Sequence, residues 1–344
     1  MIALYLSSPE GHVGKTMLCA SLGRWLIREG KKVGFFQPLS VVSGGETKST
    51  NVMKRALCIQ KSIDIICPVS TTKEELKETL STNRDSFNSR IQEAFQLISQ
   101  EKDIVLIEGP GGMQKGSIGE ELLKDTLSLT DARLLVVIQY SDSSTADFLE
   151  GMADELKDKI IGVIINSIPA NRMERHDKIR EELDVTVFGF VPQERALMGI
   201  GIKELGERID ADIEDSVNWP DELIENVMVG AMTLDHGPYY FNRKSNKAVV
   251  IRGERPDMQL AALETSTRCL VLTGGIGPID AVSRQATRKG VPIMTVQDDT
   301  SSVLSRIEDA IQAAGLDHEK KLKRLDDMIS ENLDLSALYK AIGL

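Results

Sequence analysis

The opening stretch of the chain constrains its fold more than any other segment. The apolar run Ile2-Ala3-Leu4-Tyr5-Leu6 passes directly into Ser7-Ser8-Pro9-Glu10-Gly11-His12-Val13-Gly14-Lys15-Thr16, and Leu18, Leu22, Trp25 and Leu26 then recur at helical spacing until Gly30. A buried strand, a glycine-bearing loop and a helix in that order bring backbone N–H groups and the positive end of the helix to one point. Phosphate suits such a point. Glycines let the N–H groups approach its oxygens, Lys15 can neutralise the β/γ oxygens, and the Thr16 hydroxyl can serve Mg²⁺. The usual pattern has glycine where this chain has Pro9, but a capped helix with a stray lysine does not account for Gly14-Lys15-Thr16 directly after a strand.

Up to about residue 210, short apolar runs alternate with amphipathic stretches. This rhythm predicts a doubly wound, mostly parallel α/β sheet, with strands at 2–6, 32–38, 103–108, 133–139, 160–166 and 186–191, and the phosphate loop after the first of them makes it one of the P-loop NTPase type. The third of these ends in Glu108 and runs into Gly109-Pro110-Gly111-Gly112. Ligands of open α/β sheets lie beyond the carboxyl ends of the strands, so Glu108 is expected to face the same crevice as Thr16 and to hold Mg²⁺ directly or through water. Capping of the next turn is the competing role for that carboxylate.

At 344 residues the chain is long enough for two domains. The stretch 208–221 is acidic, contains Asn218-Trp219-Pro220 and lacks periodicity, which places the expected boundary there. The expected organisation is 1–210, a smaller α/β domain at 215–320, and a helical tail at 321–344. In the tail, Leu333, Leu335, Leu338 and Ile342 suit a helix packed on the body or on a partner chain.

A net charge of −11 disfavours nonspecific binding to nucleic acid or anionic lipid. The four cysteines, at 19, 58, 67 and 269, lack metal-ligand spacing and read as reduced structural thiols. There is no apolar run of bilayer length and no basic leader, so no membrane contact and a cytoplasmic location are expected.

The loop ending in Val13-Gly14-Lys15-Thr16, the strand end Phe36-Gln37-Pro38, the stretch 105–112, Asn166-Ser167-Ile168-Pro169 and Gly189-Phe190-Val191-Pro192 together resemble dethiobiotin synthetase over residues 1–210. The resemblance implies ATP and Mg²⁺ as cofactors. It implies a nucleotide-binding set of Glu10, Gly11, His12, Val13, Gly14, Lys15, Thr16, Met17, Asn166 and Pro192, with Asn166 reading the adenine edge. It makes Thr16 and Glu108 the metal ligands and Lys15 and Glu108 the catalytic pair. Without the family, Asn166 reads equally well as a turn residue before Pro169. Two charges that the family's carboxylation chemistry relies on are replaced, a lysine by Gln37 and an aspartate by Asn51.

Farther along, Arg252-Gly253-Glu254-Arg255-Pro256-Asp257, the helix beginning at Met258 and Leu272-Thr273-Gly274-Gly275-Ile276-Gly277-Pro278 resemble the DRTGG domain. The two domains occur in this order in the front, regulatory part of long bacterial phosphate acetyltransferases. The expected function is therefore nucleotide binding with a regulatory or sensing role. A slow or absent turnover, a homodimer and a separately encoded acyltransferase as partner accompany it, and acetyltransferase activity is not expected. The alternative is an ATP-dependent ligase acting on a small carboxylate or carbamate. Arg252 and Arg255 offer an anion site in the second domain, against a structural Arg/Asp helix cap; His236 and Tyr239-Tyr240-Phe241 read as a packed or dimer-forming turn.

Overall fold

Strands that are apolar on both faces need cover on both faces, and the first half of the chain supplies it. The computed structural model describes residues 1–11, 13–41, 48–112, 116–141, 154–213, 221–230, 237–316 and 318–344. In chain order its early strands are β1 (Ile2–Ser7), β2 (Val33–Phe36), the short parallel pair β3 (Leu39–Val41) and β4 (Val69–Thr71), β5 (Ile104–Glu108), β6 (Arg133–Gln139), β7 (Ile160–Ile168) and β8 (Val187–Pro192). Six of them form one sheet in the order β2-β5-β1-β6-β7-β8, every neighbouring pair parallel. Leu4, Tyr5 and Leu6 on β1 and Val105, Leu106 and Ile107 on β5 are buried irrespective of the face on which they stand. The winding direction reverses at β1, since the chain runs outward from β1 to β2 and later crosses from β5 to β6. Such a reversal opens a crevice at the carboxyl ends of β5, β1 and β6.

The chain divides into two compact units, Met1–Gln193 with Gly315–Leu344, and Glu194–Ala314. In the second unit follow β9 (Ile200–Gly201), β10 (Asp212–Ile213), β11 (Leu223–Ile224), β12 (Asn226–Gly230), β13 (Lys247–Arg252), β14 (Thr267–Thr273) and β15 (Ile293–Val296). A five-stranded sheet runs β10-β15-β14-β13-β12, antiparallel only at β10, while β9 pairs with β11. Side chains alternate with period two. Ala248 and Val250 join a core with the helices Ile202–Arg208 and Thr300–Ala313, and Val249 and Ile251 join another with the helices Pro256–Leu263 and Asp280–Lys289.

These units differ from the ranges expected above at both junctions. Ile200, Ile202, Leu205 and Ile209 belong to the core of the second sheet, so the change of unit falls near 193 rather than in the acidic stretch. Of that stretch, residues 214–220, with Asn218, Trp219 and Pro220, lie outside the described residues, as do His12 and His236. The tail rejoins the first unit as helices Glu319–Asn332 and Leu335–Ile342. Leu333, Leu338 and Ile342 are buried there, which removes the apolar stripe as a surface for a second copy. Phe241 is fully buried as well, whereas Tyr239 is exposed.

At the edge strand β8 the tail makes an antiparallel bridge between Leu333 and Gly189, and the Asp334 N–H donates to the Phe188 carbonyl at 2.7 Å. The approach is close enough to require glycine: a β-carbon at 189 would lie 2.1 Å from the Asn332 carbonyl oxygen and 2.6 Å from the Leu333 side chain. Gly189→Ala should therefore lower the unfolding free energy by about 1–3 kcal/mol through overpacking. Urea unfolding measures this, and an unshifted midpoint would show that the tail yields to the extra methyl at no cost.

Candidate functional site

β1 delivers Ser7 and Ser8 to the carboxyl edge of the sheet, and the helix Lys15–Arg28 leaves from the same edge. Between them Gly14 takes the left-handed conformation, φ +86° and ψ 18°, at the helix N-cap, a geometry that a side-chain-bearing residue adopts with strain. No side chain caps this helix, so its first N–H groups are left for another acceptor. The Asn166 side-chain amide, near the end of β7, donates to the Val13 carbonyl at 2.8 Å and ties the loop to a strand two places from β1 in the sheet.

Lys15 is 6% exposed. Its Nζ donates to Ser8 Oγ at 2.7 Å, and that hydroxyl donates in turn to the Glu10 carbonyl at 2.5 Å. The single Ser8 proton is thereby committed, which leaves its oxygen as an acceptor for the ammonium. Burial lowers the Lys15 pKa, and the Glu108 carboxylate opposes that shift. Ser8 is also the meeting point of two loops, because its carbonyl accepts from the Gly112 N–H at 3.0 Å. The sequence pattern marked Lys15 but not Ser8, which occupies an unremarkable place two residues past the apolar run.

Glu108 closes β5, beside β1 through the register pair Leu6 and Glu108. Thr16 Oγ1 donates to Glu108 Oε1 at 2.5 Å. The other oxygen, Oε2, is buried and has no hydrogen-bond partner. An unpaired buried carboxylate oxygen is costly, and an all-oxygen pair of carboxylate and hydroxyl suits a hard divalent cation such as Mg²⁺. Among the described residues no three or more His, Cys, Asp or Glu side chains cluster as a metal site. The Thr16 hydroxyl and the Glu108 carboxylate match Mg²⁺ chemistry, in which one or two protein oxygens work with water and substrate phosphate. The residues present fit the metal.

The remaining expected positions are less concentrated. Glu10 and Gly11 are exposed, Val13 is buried, and Met17 and Pro192 are half-buried, Pro192 at the end of β8. Gln37, just beyond β2, is buried and accepts from Thr50 Oγ1 at 2.7 Å and Ser49 Oγ at 3.1 Å. Asn51 is exposed on the helix Lys48–Ala56. A neutral hydrogen-bonded set thus occupies the place where the resemblance implied a cation. In the second unit Arg255 pairs with Asp257 at 2.7 Å at the start of the helix Pro256–Leu263, whose N-cap carries no side-chain hydrogen bond, and Arg252 pairs with Glu254.

Burial raises the Glu108 pKa above its ordinary 4.5, opposed by the Thr16 hydrogen bond and the Lys15 charge. An acid with a raised folded pKa holds its proton more tightly folded than unfolded. Its favourable contribution is therefore present at low pH and lost as pH rises from 4.5 through the raised value. In chelator-treated protein Glu108→Gln should melt higher than the parent at neutral pH, and the difference should vanish below the ordinary carboxyl value. A lower melting temperature for the variant at neutral pH would contradict this placement of the carboxylate.

The family model described as AAA domain matches residues 3–200, and the DRTGG domain model matches residues 205–310. The phosphate acetyltransferase of Pseudomonas putida is 20% identical over 371 aligned residues, covering 100% of this chain and 52% of that protein. The chain thus spans about half the length of the phosphate acetyltransferases it matches. The ATP-dependent dethiobiotin synthetase BioD of Methanococcus vannielii is 26% identical over 175 residues, 48% of this chain and 79% of that one. Among solved structures, the CBS and DRTGG domains of the regulatory region of Clostridium perfringens pyrophosphatase align at 14% identity with a TM-score of 0.31, over 40% of this chain and 62% of that one. With the glycine loop, Lys15 and Thr16 at the carboxyl edge of a parallel sheet and the matching model covering more than half of its length, the chain belongs to the AAA domain family and carries a DRTGG domain after its P-loop domain.

Proposed function

We propose that this protein binds MgATP at the carboxyl ends of β1 and β5 and acts as a nucleotide sensor whose state is read through its DRTGG unit. The observation that carries the reading is Glu108 Oε2, buried without a partner beside the Thr16 hydroxyl. In this reading Lys15 leaves Ser8 for the β/γ-phosphate oxygens, and the uncapped first turn of its helix supplies N–H donors to the phosphates. Thr16 and Glu108 hold Mg²⁺, which when bound neutralises phosphate charge. Glu10, Gly11, His12, Val13, Gly14 and Met17 line the nucleotide, while Asn166 and Pro192 take the base end.

A sensor is favoured over a carboxylate-activating ligase by Gln37. Its carbonyl oxygen is already engaged by Thr50 and Ser49, and it brings no charge to the carboxyl edge. A well-placed cation commonly supplies several kcal/mol of stabilisation to a developing anionic group, so its replacement by an amide points to slow or absent turnover. The resemblance to dethiobiotin synthetases and to the DRTGG domain extends the reading to a cytoplasmic homodimer, and that to phosphate acetyltransferases to a separately encoded acyltransferase as its partner.

Isothermal titration with ATP, ADP and GTP, each with and without Mg²⁺, followed by a phosphate-release assay, tests the reading. Lys15→Ala should weaken ATP binding roughly 100-fold, the loss of charge-assisted hydrogen bonds, with the melting profile retained. Thr16→Ala should mainly erase the advantage of Mg²⁺ over metal-free nucleotide. Unchanged affinity in Lys15→Ala would remove the proposal, and rapid phosphate release in the parent would favour the ligase.

A further inference from the structure

One buried carboxylate joins the P-loop helix to the end of the chain. Asp326, on the helix Glu319–Asn332, is 4% exposed. It accepts from Arg24 Nε at 3.0 and 3.2 Å, from Arg28 Nη2 at 2.5 Å and from Ser21 Oγ at 3.3 Å. All three donors lie on the helix whose first residues are Lys15 and Thr16. Ser21 and Arg24 are about one and a half to two and a half turns from Lys15, about 9–14 Å along the axis.

The same segment continues across the first unit. The Tyr339 ring stands edge-on to Trp25 at 5.9 Å with Lys31 above it at 5.3 Å, and Arg133 Nη1 donates to the Ala341 carbonyl at 2.6 Å. Leu333 and Asp334 meet the edge strand β8. The tail is thus a strap from the P-loop helix to β8. The connectivity gives it a second meaning. The chain leaves the first unit from β8 at Gln193, and it returns at Gly315 in the segment that pairs with β8.

We propose that occupancy of the nucleotide site is coupled to the seating of this strap, with Asp326 as its key positioning residue. The inference rests on the nucleotide reading given above. A helix moves as a rigid body, and a buried carboxylate held by three donors does not stretch to follow it. An adjustment of the first turn on binding phosphate is therefore passed to the seat of the strap. By linkage, phosphate binding and seating strengthen each other by one and the same factor. Removing the carboxylate charge leaves Arg24, itself only 25% exposed, without its partner and loosens that seat.

Hydrogen exchange on the full chain, with and without ATP and Mg²⁺, tests the coupling. Amides at 325–342 should exchange about five-fold more slowly with nucleotide, the lower range of typical coupling. Asp326→Asn should abolish that slowing and weaken ATP binding by the same factor, while Lys15→Ala should remove it at an ATP concentration that saturates only the parent. Should Asp326→Asn not fold, Tyr339→Ala, which trims the strap at its periphery, should reduce the slowing and the affinity together. Nucleotide protection of Val13, Gly14, Lys15 and Thr16 with no change at 325–342 would overturn the coupling alone. Protection at neither place would overturn the nucleotide reading and the coupling with it.

Discussion

Lys15 and Glu108 are held almost dry at the carboxyl ends of adjacent strands, and the first unit is arranged around that fact. Burial disfavours the charged form of each group, lowering the lysine pKa and raising that of the glutamate. Neither is fully compensated within the protein. Lys15 has a serine hydroxyl, and Glu108 has the Thr16 hydroxyl on one oxygen and no partner on the other. Both groups carry a desolvation cost that the protein itself does not offset. The sheet order makes this possible, because β1 lies where the winding reverses and the loops after β1 and β5 meet at Ser8 and Gly112.

The second unit is built on a plainer principle. Four parallel strands, β12 to β15, advance in one direction, and the alternating residues of β13 and β14 feed two separate apolar cores. No reversal of winding opens a crevice among them, and Arg255 is engaged with Asp257. The charged residues that suggested an anion site are thus used locally. The helices within 319–344 are the continuation of that unit's chain back into the first.

Much of the architecture was legible in the sequence because buried parallel strands announce themselves as apolar runs. The run at β6 matches its expected bounds, and β1, β5, β7 and β8 deviate by one or two residues. The phosphate loop was legible because glycine, lysine and threonine at that spacing have few other uses. What escaped was non-local. Nothing near Ile200, Ile202, Leu205 and Ile209 indicates that they pack on Ala248 and Val271 instead of the preceding sheet. Likewise Asp326, in a highly charged helix, gives no sign of its bond to Arg24, some three hundred residues earlier. The stripe of Leu333, Leu338 and Ile342 was visible as apolar surface, but an amphipathic pattern does not say whether its cover is the same chain or another. The Glu108 carboxylate was expected at the crevice from strand position alone; its orphaned oxygen required the packing around it.

The central claim is that the crevice at β1 and β5 is a nucleotide and Mg²⁺ site. A comparison of backbone amide NMR spectra of the deuterated protein before and after addition of Mg²⁺ADP addresses it most directly. The account predicts the largest shifts at Gly14, Lys15 and Thr16, at Glu108, Gly109 and Gly112, and at Asn166. Unchanged signals at these residues, or shifts confined to 194–314, would contradict it.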